Sequence, residues 1–261
     1  MSAPEPHEIY DRVKEEGKRR LQRPLLELGS TALVAGFDVV FGVTALALAS
    51  ATLEKKFGAD VGHLAGSIAF GLAFVFIVVG RSELFTENFL VPIAGLDRRD
   101  RMSWLKLAEL WTLSPVLNIL GGTALILIIT VHGVLPHGAG NPLRTTAYEL
   151  QQNGPLAAFM SAILGGALIT LMTWLVEGAA SMGVRIVTAW LAGALLALGV
   201  MNHVIVATLE LVFGVRYGAN VAYGDVVSNF FVAAAGNMVG GILFVTLTRT
   251  GQAKGSGGAS S

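Results

Sequence analysis

His203 sits near the middle of a long apolar run, Gly193 to Glu210 (GALLALGVMNHVIVATLE), which is interrupted by Gly199 and by the pair Asn202-His203. Roughly 20 apolar residues cross the hydrocarbon core of a bilayer, and an ionisable group at that depth faces the protein interior or a wet pathway. A discontinuous helix near the midplane is a feature of substrate sites in transport proteins. Two readings follow: an imidazole in the path of a pore or carrier, or a buried histidine that only hydrogen-bonds a neighbouring helix.

A second stretch, Gly80 to Pro92 (GRSELFTENFLVP), is too polar for a lipid-facing helix. Non-helical backbone at membrane depth is tolerated only where protein or a water-filled cavity surrounds it, so a re-entrant loop is expected. Leu84 and Phe85 could form an apolar constriction there, and Thr86 offers a hydroxyl to a passing solute. Arg81, Glu83 and Glu87 read either as an internal ion-pair set pinning the loop or as including a substrate-binding arginine. Helix ends at the breaks near Thr86 and His203 would aim N-terminal dipoles at one region and favour an anion. An imidazole there can share or donate a proton to a weak-acid anion.

The elements that must position these groups are membrane spans. The chain of 261 residues is 53% hydrophobic and 14% charged, with a mean hydropathy of +0.65, which is too apolar for a soluble domain. The expected fold class is an all-α integral membrane protein. A formal net charge of zero gives no footprint for nucleic acid. The absence of cysteine excludes disulfides and thiolate metal sites. His7, His63, His132 and His137 lack partners at metal-ligand spacing, and no phosphate loop, nucleophile elbow or paired-carboxylate arrangement is present. No cofactor, metal or enzymatic activity is expected.

Residues 1–27 are expected to form a cytoplasmic, charged amphipathic helix with Ile9, Val13 and Leu21 on one face. It would lie on the membrane surface as a topology anchor, in preference to a lid or partner-docking element. Residues 28–250 hold six apolar segments, at about 28–53, 63–93, 104–131, 155–177, 186–214 and 225–248, and residues 251–261 read as a flexible tail. The Lys and Arg clusters at 12–23, 98–106, 185 and 249–254 fall on one face, against Lys55, Lys56, Arg144 and Arg216 on the other. This bias places both termini in the cytoplasm.

The third segment contains Asn118-Ile-Leu-Gly-Gly and the sixth Asn237-Met-Val-Gly-Gly, while the second and fifth are each interrupted by polar residues. Three spans per half is an odd number, so the halves must lie inverted in the membrane. Six helices in two inverted three-helix repeats, with broken second and fifth helices, place a site at the interface between halves. Asn118 and Asn237, beside paired glycines, read most simply as hydrogen-bonding across closely packed helices.

With Gly-x-x-Glu-Leu-Phe-Thr-Glu-Asn in the second span, Asn-His in the fifth and Gly-Asn-x-x-Gly-Gly in the sixth, the chain resembles the formate/nitrite transporter family over residues 28–248. The resemblance implies an aquaporin-like protomer in a homopentamer in the bilayer of the inner membrane. Each protomer would carry a pore for a small monovalent anion or weak acid, with protons as a second partner. It implies a central histidine at His203, a loop threonine at Thr86, a pore asparagine at Asn237, and constrictions at Leu84, Phe85, Phe70 and Leu196. The family's formate channel has a glutamate where Asn202 stands beside the histidine, an asparagine where Ala207 stands, and another at Thr170. Its vestibule lysine falls on Gly154, with no cationic substitute. These departures resemble a divergent, YfdC-like branch. A neutral-solute pore and a non-transporting membrane scaffold or sensor are the competing readings.

Overall fold

The computed structural model describes residues 4–258, and they are overwhelmingly helical. Five helical stretches are long and apolar enough to cross a membrane. They are α2 (Leu25–Phe57); α3 and α4 (Ala59–Phe70 and Leu72–Gly80), which follow each other across Gly71; α6 (Arg101–Ile129); α8 (Pro155–Gly178); and the run that begins as α11 (Tyr223–Val239). The shorter apolar α9 (Met182–Leu198) is followed by α10 (Val204–Arg216) after a non-helical stretch.

Local chemistry sets the boundaries. Gly58, at φ 91, supplies the left-handed turn between α2 and α3. The Asp100 carboxylate accepts from the amides of Met102 and Ser103 and caps α6, and Ser181 caps α9 through the Val184 amide. Pro155 opens α8, where its missing N–H costs nothing. A glycine lets α2 and α6 touch backbone to backbone: a Cβ on Gly36 would collide with the Asn118 carbonyl. Gly166 of α8 lies in the same way against Asn237 of α11. Such small-residue contacts carry helix association in lipid, where apolar surface alone gives no drive.

The amphipathic N-terminal helix forms as α1 (Pro6–Leu21), but its apolar face is spent on protein rather than lipid. Val13, Gly17 and Leu21 are buried, and Val13 packs with Leu90, Val91 and Trp174. Gly17 meets the backbone of α5 (Val91–Gly95) so closely that a Cβ would overlap the Val91 carbonyl. A glycine in the apolar stripe of a charged helix is the sequence sign of that approach.

The expectation of a flexible tail from residue 251 is corrected for residues 251–258. After α11 the helix continues through a π-helical turn, Gly240–Thr246, into α12 (Leu247–Gly258). Ala253 is buried and α12 packs on α1, with Gly257 facing His7. Residues 259–261 lie outside the described residues.

α1 is held by charge as well as by packing. Burial pushes the Glu16 carboxyl up, but hydrogen bonds and charge from Arg19 and Arg20 outweigh it and hold the group at about 2. A carboxyl lowered in the folded state stabilises fully above its ordinary value of 4.5 and loses that contribution as pH falls toward 2. Trp174 emission, measured with the other tryptophans replaced by Phe, should therefore report loosening of α1 between about pH 4.5 and 2. Glu16→Gln should abolish that step.

Candidate functional site

The first break begins where α4 ends at Gly80. Arg81 takes the left-handed conformation at φ 57, Leu84 is extended, and a short 3-10 turn, Phe85–Phe89, leads into α5. This segment is pinned from several sides. Ser82 donates to Asp38 at 2.6 Å, the Glu83 amide to the Thr31 carbonyl at 3.1 Å, and Trp111 and Thr246 donate to the carbonyls of Asn88 and Phe89. Asn118 completes the set. Its amide donates to the carbonyls of Ala32 and Glu83 at 2.7 and 2.9 Å, and its oxygen accepts from the Phe85 amide at 3.1 Å.

The second break, between α9 and α10, repeats this arrangement. Asn237 donates to the carbonyls of Ala162 and Asn202 at 2.7 and 3.0 Å and accepts from the Val204 amide at 2.9 Å. The correspondence is residue by residue: Asn118 with Asn237, Glu83 with Asn202, Phe85 with Val204, and therefore Leu84 with His203. The non-glycine residues at positive φ among those described are Arg81 and Val200, at φ 57 and 44, and they too stand one repeat apart. Left-handed backbone is costly for a β-branched side chain.

The two breaks meet through one hydrogen bond. Thr86 Oγ1 and His203 Nε2 lie 2.6 Å apart, both fully buried. His203 is also the N-cap of α10, its Nδ1 accepting from the Val206 amide at 3.3 Å. That acceptor role leaves the ring proton on Nε2, which donates to Thr86 Oγ1. The threonine hydroxyl then keeps its own proton to offer elsewhere. Phe74 closes on the imidazole edge-to-face at 6.2 Å. The expected constriction residues Leu84, Phe85, Phe70 and Leu196 are all buried in the apolar cluster that includes Phe74 and Val204.

A cavity opens on each side of this plug, and neither includes His203 or Thr86 in its lining. One, of about 330 Å³, has Leu196, Met201 and Val206 among its lining residues. The other, of about 280 Å³, lies on the α1 side and is lined by Arg20, Arg81, Ser82, Glu87 and Arg185 among others.

The loop acids are paired, though not with Arg81. Arg20 of α1 reaches Glu83 at 3.0 Å, Glu87 at 3.3 Å and Asn88 Oδ1 at 3.3 Å, and Arg23 binds Glu83 directly. Arg81 is exposed, because its left-handed backbone at the end of α4 is followed by a turn that buries Ser82 and Glu83 and leaves it outside. Glu83 and Glu87 thus pair with α1, and the expected pairing with Arg81 is corrected. Buried carboxylates need such partners, but nothing in the local pattern says that they come from 60 or more residues upstream.

Asn202 and Asn237 are not brought to the imidazole face. Asn202 exchanges hydrogen bonds with Asn229 at 2.8 and 3.1 Å and donates to the Ala158 carbonyl. Asn237 has its amide hydrogens and its oxygen engaged with backbone, so its role here is to hold the break. Only one break ends in a helix of useful length: α10 begins at Val204, whereas the turn after Leu84 spans five residues. Val200, Arg20 and Arg23 were not legible as site residues.

The family model described as formate/nitrite transporter matches residues 7–250. The chain is 25% identical over 243 residues to the inner membrane protein YfdC of Escherichia coli (strain K12), covering 92% of this chain and 76% of that protein. It is 26% identical over 251 residues to the uncharacterized transporter YrhG of Bacillus subtilis (strain 168), covering 95% and 92%. Among solved structures it resembles an FNT family ion channel with a TM-score of 0.78 at 17% identity, over 92% of this chain and 97% of that one. It also resembles a pentameric formate channel with formate bound, with a TM-score of 0.70 at 20% identity, over 85% and 94%. At these identities the structural likeness bears on the fold.

The strain and the clamp make opposite predictions. Val200→Gly should stabilise the assembled protein by about 1 kcal/mol, relieving the positive φ. Asn237→Leu should destabilise it by about 1–3 kcal/mol, leaving the Val204 amide and two carbonyls without partners. Denaturation midpoints in detergent check both.

Proposed function

The chain belongs to the formate/nitrite transporter family, and we propose that it forms a pore for a small monovalent anion or its weak acid, with His203 as the central proton-exchanging group. The Thr86–His203 contact at the junction of two non-helical breaks carries this reading. It lies between two cavities and behind apolar side chains, where a solute must shed water to pass.

The proposed protomer has six spans in two inverted three-helix halves, broken in the second and fifth, in the manner of an aquaporin. The matched clamps of Asn118 and Asn237 and the paired strained residues Arg81 and Val200 support that symmetry. Homopentameric assembly in the inner membrane accords with the described assembly of the formate channel neighbour and the inner-membrane relative, and the Lys and Arg bias supports cytoplasmic termini.

The chemistry needs little beyond the contact itself. An anion passing the constriction meets the Thr86 hydroxyl as a donor. If a proton has entered the ring at Nδ1, displacing the Val206 hydrogen bond, the imidazolium passes its Nε2 proton through that hydroxyl to the anion, leaving a neutral acid and an imidazole protonated on Nδ1. Net charge is thereby removed from the solute where the apolar layer of Phe70, Leu84, Phe85 and Leu196 makes charge most costly. Uptake of a proton at Nε2 and release of the one on Nδ1 restore the resting ring. Leu84 and Phe85 serve as the loop's constriction, and Phe70 and Leu196 as the constriction on the far side.

Flux into proteoliposomes tests the reading, with formate, nitrite, acetate, lactate, hydrosulfide, chloride and fluoride each assayed at two pH values. At least one weak-acid anion should move faster at the lower pH, and His203→Ala should lose that dependence. Thr86→Val should reduce flux roughly 10–100-fold, by analogy with the loss of a positioned proton-transfer group. A folded, assembled protein that moves none of the anions overturns the proposal, and pH-independent passage of neutral solutes alone would replace it.

A further inference from the structure

The cavity on the side away from α1 has an electrostatic character that the pore reading does not use. Its mouth carries the carboxylates of Glu54, Asp60 and Glu149, all exposed, and its lining also includes Glu210. The lining contains no lysine or arginine. Glu210 is 8% exposed and makes no hydrogen bond or ion pair with any described residue. It stands on α10 one turn beyond Val206, whose amide binds His203 Nδ1. The titratable groups facing it are Glu149 from α7 (Gly140–Gln152), Glu54 from α2, and Asp60 and His63 from α3. His63 is itself within hydrogen-bond distance of the Leu198 carbonyl, at 3.1 Å.

A buried carboxyl without a partner must find one in what enters the cavity, since burying a charged or polar group unpaired is costly. Bare anions are poor candidates. Carboxylates on low-dielectric walls focus a negative potential that lowers the local anion concentration. A solute bearing its own proton suits the place: the O–H of an undissociated acid donates to a carboxyl oxygen, which accepts whether or not that carboxyl is ionised. We infer that the vestibule opposite α1 admits the undissociated weak acid and rejects its anion, with Glu210 as the hydrogen-bond acceptor that receives it. This inference rests on the proposed weak-acid pore and specifies the form in which the solute occupies one end of it. The other cavity, lined by Arg20, Arg81 and Arg185 as well as Glu87, presents a mixed field. The solute is then a proton-bearing species on the acidic side of His203 and can be an anion on the other.

The test compares formate, acetate and lactate with nitrate, the anion of a strong acid that has no proton to offer at working pH. Each is assayed in proteoliposomes at pH 5.5 and 8, for the unmodified chain, Glu210→Leu and Glu149→Gln. Because the vestibule is in series with the constriction, its selection acts on flux in either direction. Unmodified protein should pass at least one weak acid in proportion to its undissociated fraction and exclude nitrate. Glu210→Leu removes the acceptor at similar size and should lower weak-acid flux roughly five- to tenfold. Glu149→Gln removes a charge at the exposed mouth and should raise nitrate flux several-fold, and it covers a failure of the buried variant to assemble. Weak-acid flux and nitrate exclusion unchanged in both variants overturn the vestibule inference and leave the pore reading standing. Equal passage of formate and nitrate by the unmodified chain does the same, as does selective passage of ammonium, which would make the vestibule a cation site. Absence of all weak-acid flux overturns both.

Discussion

A chain that leaves helical geometry inside a membrane must satisfy its own amides, because the hydrocarbon offers no partners. Here two asparagines meet that demand. Asn118 and Asn237 each spend both side-chain hydrogens and the oxygen on backbone groups, tying a break to the helix packed against it. Remove that satisfaction and neither Thr86 nor His203 has a fixed place. The glycines beside them serve the same end: Gly36 and Gly166 let the neighbouring helices come close enough for those short bonds to form.

The clamps leave one residue of each break pointing into the protein, and the repeat makes these unlike. Leu84 on one side corresponds to His203 on the other, so a single imidazole stands in an apolar layer, facing the Thr86 hydroxyl. The first break is further held by Arg20 and Arg23, which couple α1 to the loop through Glu83 and Glu87. That coupling makes the N-terminal helix part of the wall of the cavity on its own side. A docked α1 fits a structural component of the proposed pore better than a free recruiting arm.

Much of this was legible in the sequence, and the remainder has a physical reason for being hidden. The apolar runs, the polar interruptions at 80–92 and 199–204, and the repeated Asn-x-x-Gly-Gly pattern marked both breaks, because hydropathy and small-residue spacing are local properties. The runs themselves point to His203 and Thr86, but their contact joins segments more than 100 residues apart, and no periodicity encodes it. The same holds for the partners of Glu83 and Glu87. Arg81 was the nearest cation in sequence, yet backbone geometry turned it outward and α1 supplied the charge. The helicity of residues 251–258 was hidden for a related reason: glycine-rich composition argues against a helix in isolation, whereas contact with α1 supplies stabilisation that composition cannot show. Asn202 reads as a companion of the histidine but is turned aside by Asn229.

The claim on which the account turns is that His203 shares its Nε2 proton with Thr86 and, through it, with the solute. Nitrogen-15 spectra of histidine-labelled protein in bilayers, with His203 assigned by the signal lost in His203→Gln, test this directly. The account predicts a resting ring protonated on Nε2 and hydrogen-bonded at Nδ1, with the Nε2 signal shifting in Thr86→Val and again when a permeant weak acid is added. A ring that rests with its proton on Nδ1 in the absence of solute, or an Nε2 signal indifferent to both the threonine and the solute, would contradict it.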